Sequence, residues 1–191
     1  MKLRIVTDQH LIREIINGDE IAFRHLVEEY SKQVFHICYA IVHNQDDADD
    51  LSQDVFIEVF RSISRFRSDA RLSTWIYRIA VNKSLNFLRK RKRQSWIQSF
   101  GDLISFQQTE EERTTENLSK NELRALRLHE AIDSLPENQR SAFLLHKLND
   151  LSQPEIAEII GTTVKGVESL IHRAKINLQK KIITYYKNDE W

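Results

Sequence analysis

A length of 191 residues, 41% of them hydrophobic and 29% charged, describes a folded chain with room for one ordinary domain or two small ones. Four glycines and two prolines leave too little turn material for a sheet of hairpins, so the chain is predicted to be all-α. The formal net charge is zero, the lone Cys38 excludes a disulfide framework, and no apolar run approaches the ~18 residues that span a bilayer.

The first ten residues, MKLRIVTDQH, lack the apolar core of a signal peptide, and a cytoplasmic protein with no membrane span and a buried thiol is expected. Asp8 is placed to cap a first short helix, with Leu11, Ile12, Ile15 and Ile16 as its apolar side and Asn17-Gly18 as its stop. A longer helix starts near Asp19. In it Phe23, Leu26, Val27, Tyr30, Val34, Ile37, Cys38 and Ile41 recur at three- and four-residue steps, a core-facing stripe that ends at His43-Asn44-Gln45.

The next helix is predicted from Asp46 to Ile63, with Asp46, Asp47, Asp49 and Asp50 at the positive end of its dipole and Leu51, Val55, Val59 and Ile63 as its apolar line. Asp50, Gln53 and Asp54 share a polar face. With no histidine at helical spacing and no alternation of calcium-loop type, these acids read as helix capping or a protein-docking face; neither metal nor cofactor is expected.

RFRSDARLS, from Arg65 to Ser73, interrupts the periodicity, and Ser73 or Thr74 is the expected cap of the helix that follows. Within that loop Phe66, Arg67 and Asp69 line a pocket or form a plain surface turn. On the helix, Trp75, Arg78, Asn82, Asn86, Arg89 and Arg93 fall on one side, and Leu72, Ile76, Ile79 and Ala80 fall opposite. Val81, Leu85 and Leu88 form a further apolar strip, which leaves a narrow open stripe.

Charge is distributed unevenly. From Arg61 to Arg93 there are eleven Lys or Arg against the single acid Asp69, whereas Asn44 to Phe60 holds six acids and no base, so neutrality is a cancellation between regions. Arginine takes phosphate or guanine, an amide pairs with a base edge and an aromatic ring stacks on an unpaired base, so the stripe suits nucleic acid. The same residue types also describe a solvated basic face with Trp75 buried, and taken alone they leave both readings open.

From Gln94 to about Glu122 the composition turns polar and acidic, with Glu110, Glu111, Glu112 and Glu116, and reads as a flexible linker. Its apolar residues Trp96, Ile97, Phe100, Leu103, Ile104 and Phe106 point to contact with something else. A second unit opens near Leu123: one helix carries Leu126, Ala131, Ile132 and Leu135, and Pro136 starts another with Phe143, Leu144 and Leu148 inward. Ser152-Gln153-Pro154-Glu155 is a capping box that announces a helix through Ile156, Ala157, Ile159 and Ile160, stopped by Gly161. A final helix from Thr162 or Thr163 is expected to bury Val164, Val167, Ile171, Ala174 and Leu178. Ala157, Gly161 and Val167 have the spacing of two tightly crossed helices, a helix-turn-helix; an ordinary helical hairpin is the plainer reading. Lys165, Glu168, Ser169, His172, Arg173 and Lys175 form its polar face.

Three segments in order carry a resemblance: DDADDLSQDVFIEVF, then FRSDARLSTWIYRIAVNKSLNFLRKRKR, then LPENQRSAFLLHKLNDLSQPEIAEIIGTTVKGVESLIHRAKINLQKKI. Together, over about Asp19 to Tyr186, they resemble the bacterial sigma-70 family, and the short span between the two units resembles its extracytoplasmic-function class. The resemblance implies two small helical domains joined by a flexible linker: region 2 over 1–93, an acidic linker over 94–122, and region 4 with the helix-turn-helix over 123–191. It implies a dissociable, non-enzymatic subunit that directs promoter-specific initiation by RNA polymerase. Asp49, Asp50, Gln53 and Asp54 would dock on the clamp helices of the largest polymerase subunit, Asp54 standing where glutamate is commoner, and the flap of the second-largest subunit is a further implied partner.

On the same resemblance, Phe66, Arg67, Trp75, Arg78, Asn82, Asn86 and Arg89 would meet the minus-ten element as single strand. Thr163, Lys165, Glu168, Ser169, His172 and Arg173 would meet the minus-thirty-five element as duplex. Glu168 stands where many relatives carry arginine and Gly166 where a hydroxyl or small residue is usual, so the preferred promoter is not taken from relatives. The acidic linker resembles a strand that mimics RNA charge on its way through the polymerase, and an anti-sigma factor is the usual further partner of the class. The second reading of the residues is an autonomous helix-turn-helix regulator of duplex DNA. An enzyme is the third and weakest reading, because the seven histidines are scattered and no nucleophile motif is present.

Overall fold

The computed structural model describes residues 2–66, 71–102, 120–147 and 151–187, and the side chains of 8–66, 71–94, 122–147 and 151–187. Arg67 and Asp69, the apolar linker residues from Trp96 to Phe106, the acidic run Glu110 to Glu116, and Leu148 lie outside the described side chains. All secondary structure among the described residues is helical.

Helix α1 (Lys2–Ile16) is followed by α2 (Glu20–Val42), α3 (Gln45–Ser62), a short 3-10 turn (Ile63–Arg65) and α4 (Leu72–Asp102). Asp8 lies within α1 rather than at its start, because the periodic stretch Leu11 to Ile16 continues a helix that begins earlier. Gly18 ends the turn after α1 at φ +90, a conformation that costs glycine little. Asp19 caps α2 through its carboxylate, which accepts from the backbone N–H of Ile21 at 2.8 Å and of Ala22 at 3.1 Å. Six of the predicted stripe residues, Leu26, Tyr30, Val34, Ile37, Cys38 and Ile41, are buried, and Phe23 and Val27 sit at the core edge.

Between α2 and α3 the chain turns on two residues. His43 takes the left-handed conformation at φ 55 and its N–H closes on the Tyr39 carbonyl, while the Asn44 side chain accepts from the Asp47 N–H at 2.9 Å and so caps α3. α2 packs on both α3 and α4, and α3 packs on α4, a three-helix core closed by α1. At its centre the Cys38 thiol hydrogen-bonds with Ser84 of α4 and Ser52 of α3; burial raises its pKa and those two bonds offset part of the rise. Ser73 and Thr74 do not cap α4. The helix starts at Leu72, and Thr74 is turned into the core at 1% exposure, with its hydroxyl unpaired among the described residues. α4 also runs on to Asp102, past the composition change at Gln94 where a linker was expected.

The second unit comprises α5 (Lys120–Asp133), α6 (Glu137–Lys147), α7 (Gln153–Ile160) and α8 (Val164–Lys187). α8 packs on α5, α6 and α7. The capping box closes as expected, the Ser152 N–H donating to the Glu155 carboxylate at 2.9 Å, and Gly161 ends α7 in the left-handed region at φ 69. Ala157 and Val167 are buried at the α7–α8 crossing, where the Thr162 N–H closes on the Ala157 carbonyl at 2.9 Å. The helix-turn-helix is therefore present in geometry as well as spacing. Val164, expected inside, is 38% exposed because it is the first residue of α8 and the buried line starts one turn later at Val167.

Ile76 has no exposed surface and belongs to the line of α4 that faces α2 and α3. Ile76→Ala should lower unfolding stability by about 2–5 kcal/mol, read as a reduced chemical-denaturation midpoint with the slope unchanged.

Candidate functional site

Three surfaces remain open after the cores are packed. The first is the outer face of α3, where Asp49, Asp50, Gln53 and Asp54 are all exposed. The side chains of Asp50, Gln53 and Asp54 make no hydrogen bond or ion pair with any described residue, and with Asp47, Leu51, Ile57 and Phe87 they line a shallow cavity of 350 Å³. Acids and an amide thus surround an apolar floor, which suits a helical partner carrying basic and apolar residues. Ile57 and Phe60, exposed at 47% and 57%, extend this face. Sequence reasoning passed over them, although both fall off the buried Leu51, Val55, Val59 line, which is a readable signal.

The second surface is the α4 stripe. Arg78, Asn82, Asn86, Arg89 and Arg93 are exposed, while Leu72, Ile76, Ala80, Val81 and Leu85 are buried, so the helix is rotated as the periodicity predicts. Trp75 is half-buried and does not stand free. Its ring lies against Phe66 with centroids 5.3 Å apart at 50°, a tilted pair beside the start of α4 that leaves part of both rings open.

Third is the outer face of α8. The Thr163 hydroxyl accepts from the Gly166 N–H at 3.1 Å and caps the helix, and Lys165, Glu168, Ser169, His172, Arg173 and Lys175 all point to solvent. Gly166 has a local reason: a Cβ there would stand 2.4 Å from the Thr162 hydroxyl. Glu168, His172 and Lys175 line a small cavity of 200 Å³ with His146 and Gln153, at the side of α8 that the start of α7 adjoins.

The stripe is not wholly free, because the two units pack on each other through α4 against α7 and α2 against α6. Arg71 pairs with Glu155 at 2.7 Å, Arg78 donates to the Glu158 carbonyl, and Arg89 is held by both oxygens of Glu137 while also donating to Asn86 Oδ1 at 2.7 Å. Burial pushes the Glu155 carboxyl up, but its bonds from Ser152 and the Arg71 charge outweigh that and leave it below the ordinary value. Arg89, conversely, is raised by its bond and charge contact with Glu137. Arg91 reaches Asp47 of α3 at 3.1 Å. None of these pairings was foreseen, since periodicity reports the side on which a residue lies and not what comes to face it.

No described residues form a cluster fit for a metal ion, and no described helix is long and apolar enough to cross a membrane.

Comparison with known proteins matches the first unit and the second to successive parts of one family. The model of Sigma-70 region 2 matches residues 26–94, and that of Sigma-70 region 4 matches 125–178. The chain is 35% identical over 183 residues to the ECF RNA polymerase sigma-E factor of Escherichia coli strain K12, covering 93% of this chain and 95% of that one. It is 31% identical over 181 residues to the RNA polymerase sigma-H factor of Pseudomonas aeruginosa, covering 92% and 93%. It is 28% identical over 179 residues to SigW of Bacillus subtilis, covering 90% and 94%. Two solved structures share the fold. CnrH, in complex with the cytosolic domain of CnrY, has a TM-score of 0.66 at 23% identity over 93% of this chain and 97% of that one. The sigma factor RpoE of Bartonella quintana, in complex with the anti-sigma factor NepR, has a TM-score of 0.60 at 22% identity over 84% and 96%. A near full-length match at this identity, with both regions present in order, makes the chain a member of the extracytoplasmic-function group of the sigma-70 family.

Proposed function

We propose that this chain is a dissociable initiation subunit of bacterial RNA polymerase that brings the core enzyme to a specific set of promoters and holds one DNA strand open there. The division into 1–93, 94–122 and 123–191 assigns core docking and minus-ten recognition to the first unit and minus-thirty-five recognition to the last. The observation that carries this reading is the open face of Asp50, Gln53 and Asp54, because an autonomous DNA-binding protein has no need of an unpaired acidic docking surface on the helix before its basic stripe, whereas a subunit that must join polymerase does.

In this reading Asp49, Asp50, Gln53 and Asp54 meet the clamp helices of the largest polymerase subunit, and the second unit meets the flap of the second-largest. Phe66 and Trp75 offer a stacking platform for an extruded base, whose lost stacking and pairing cost a few kcal/mol. Asn82 and Asn86 read base edges, Arg78 lies beside them, and Arg67 and Arg89 hold backbone. On α8, Thr163, Lys165, Ser169, His172 and Arg173 contact the duplex. Glu168, an unpaired acid among cations, is suited to accept from cytosine N4 while opposing non-specific phosphate contact. The solved relative in complex with NepR supports an anti-sigma factor as a further partner.

Asp50→Ala combined with Gln53→Ala should abolish capture of the chain by purified core polymerase while leaving its helical circular dichroism intact; undiminished capture would refute the docking assignment. Asn82→Ala should redistribute transcription among minus-ten variants without weakening core capture, read by in vitro initiation from a template library. Equal use of all variants before and after the change would count against Asn82 as a reader.

A further inference from the structure

Where the end of α2 meets α5, two histidines from different units lie face to face. The His43 and His129 rings are parallel within 6° at 4.3 Å between centroids. His43 is the left-handed cap of α2, its side chain is 13% exposed, and its Nε2 is buried 3.6 Å from Asp133 Oδ1 without a good hydrogen bond. Asp133 is also approached by Arg140 Nη1 at 3.2 Å. The surrounding charges are Asp133 of α5 and Arg140 of α6, with Arg89, Arg91 and Lys92 of α4 and Glu137 of α6 along one 610 Å³ cavity beside them.

We propose that the stacked His43–His129 pair is a proton-sensitive latch on the junction between the two helical units, closed while at most one imidazole is charged and released when both are. The inventory of charges carries this. A single imidazolium on His43 has Asp133 for a partner, and a neutral ring can stack on a charged one. A second proton places two like charges in face contact, and the carboxylate beside them, Asp133, already serves Arg140. The other acid along the cavity, Glu137, is occupied by Arg89.

The direction of the His129 pKa agrees with this geometry. Burial lowers it, the neighbouring His43 lowers it further, and Asp133 opposes both. A histidine whose pKa is depressed in the closed form and ordinary in the open form favours closure above 6.5, and that preference is lost as pH falls below this value. Release would free Arg71, Arg78 and Arg89 from Glu155, the Glu158 carbonyl and Glu137. That such release also exposes a DNA-reading surface rests on the proposed function; the latch itself does not.

Energy transfer between dyes tests it on the full chain, with cysteines introduced by Glu28→Cys on α2 and Lys180→Cys on α8, both exposed, and Cys38 left in the core. The parent chain should lose transfer as the buffer goes from about pH 7.5 to about pH 5.5, with helical circular dichroism unchanged. His129→Phe, which keeps a flat ring but takes no proton, should retain transfer at the lower pH; His129→Gln serves the same purpose where the larger ring disturbs folding. Unchanged transfer in the parent across this range, or identical loss in the parent and both variants, overturns the latch. Loss of helical signal together with transfer also counts against it, because release leaves the helices intact. Capture by core polymerase at the higher pH is scored separately, and its failure bears on the proposed function alone.

Discussion

The rotation of α4 about its own axis is the constraint on which the remaining surfaces depend. Ile76, Ala80 and Ser84 are fully buried at successive four-residue steps, and two of the three are small, so α4 comes close to α2 and α3. The Cys38 thiol joins Ser84 and Ser52 at the point where the three helices meet. Small polar side chains can be buried there because each is satisfied within its own helix: the Ser84 hydroxyl returns to the Ala80 carbonyl at 2.9 Å and the Ser52 hydroxyl to that of Ala48 at 2.6 Å. Once that line is buried, Arg78, Asn82, Asn86 and Arg89 have nowhere to go but outward. The acidic face of α3 is fixed by the same packing, since burying Leu51, Val55 and Val59 turns Asp50, Gln53 and Asp54 away from the core.

The contacts between the units are of another kind. Both units contribute fully buried aliphatics, Leu26, Val34, Ile37 and Ile76 from the first and Leu145, Ile156 and Val167 from the second. The polar contacts across the junction are mostly pairs between partly exposed side chains, such as Arg71 with Glu155 and Arg89 with Glu137. Solvent-screened ion pairs of that sort each contribute far less than a filled core position. A competitor for the arginines therefore has little to displace at each of these pairs.

Much of the fold was legible in the sequence, because local signals specify it. The α2 stripe, the capping box at Ser152 and the stop at Gly161 are each written within a few residues, and the structure agrees at all three. Disagreements arise where two local signals compete. Ser73 and Thr74 have the right chemistry for a cap, but Leu72 is needed in the core at 1% exposure, and burying it starts the helix earlier and carries Thr74 inside. The composition change at Gln94 reads as the start of a linker, yet α4 continues past it to Asp102. The junction left no trace at all. Arg71 and Glu155 are 84 residues apart, neither interrupts a periodic pattern, and a pair of exposed charges looks the same in sequence whether or not it is ever made. His43 was legible as a helix stop, but not as one half of a stack whose other half is on α5.

The zero net charge acquires a physical meaning from these pairings. A stretch with eleven bases and one acid would repel itself and bind polyanions indiscriminately if nothing offset it. Here the offset is partly local, through Asp47 on Arg91 and Glu58 on Lys83, and partly supplied by the other unit through Glu137 and Glu155. The local part stays with the first unit however the two are arranged. The remote part is present only while the units are together. Separation thus raises the positive field along α4 without any change in composition, and the charge that the stripe shows to a nucleic acid depends on the arrangement of the chain as well as on its sequence. A basic surface whose counter-charges sit on a detachable neighbour is neutralised in one arrangement and exposed in the other, which a fixed excess of lysine and arginine cannot achieve.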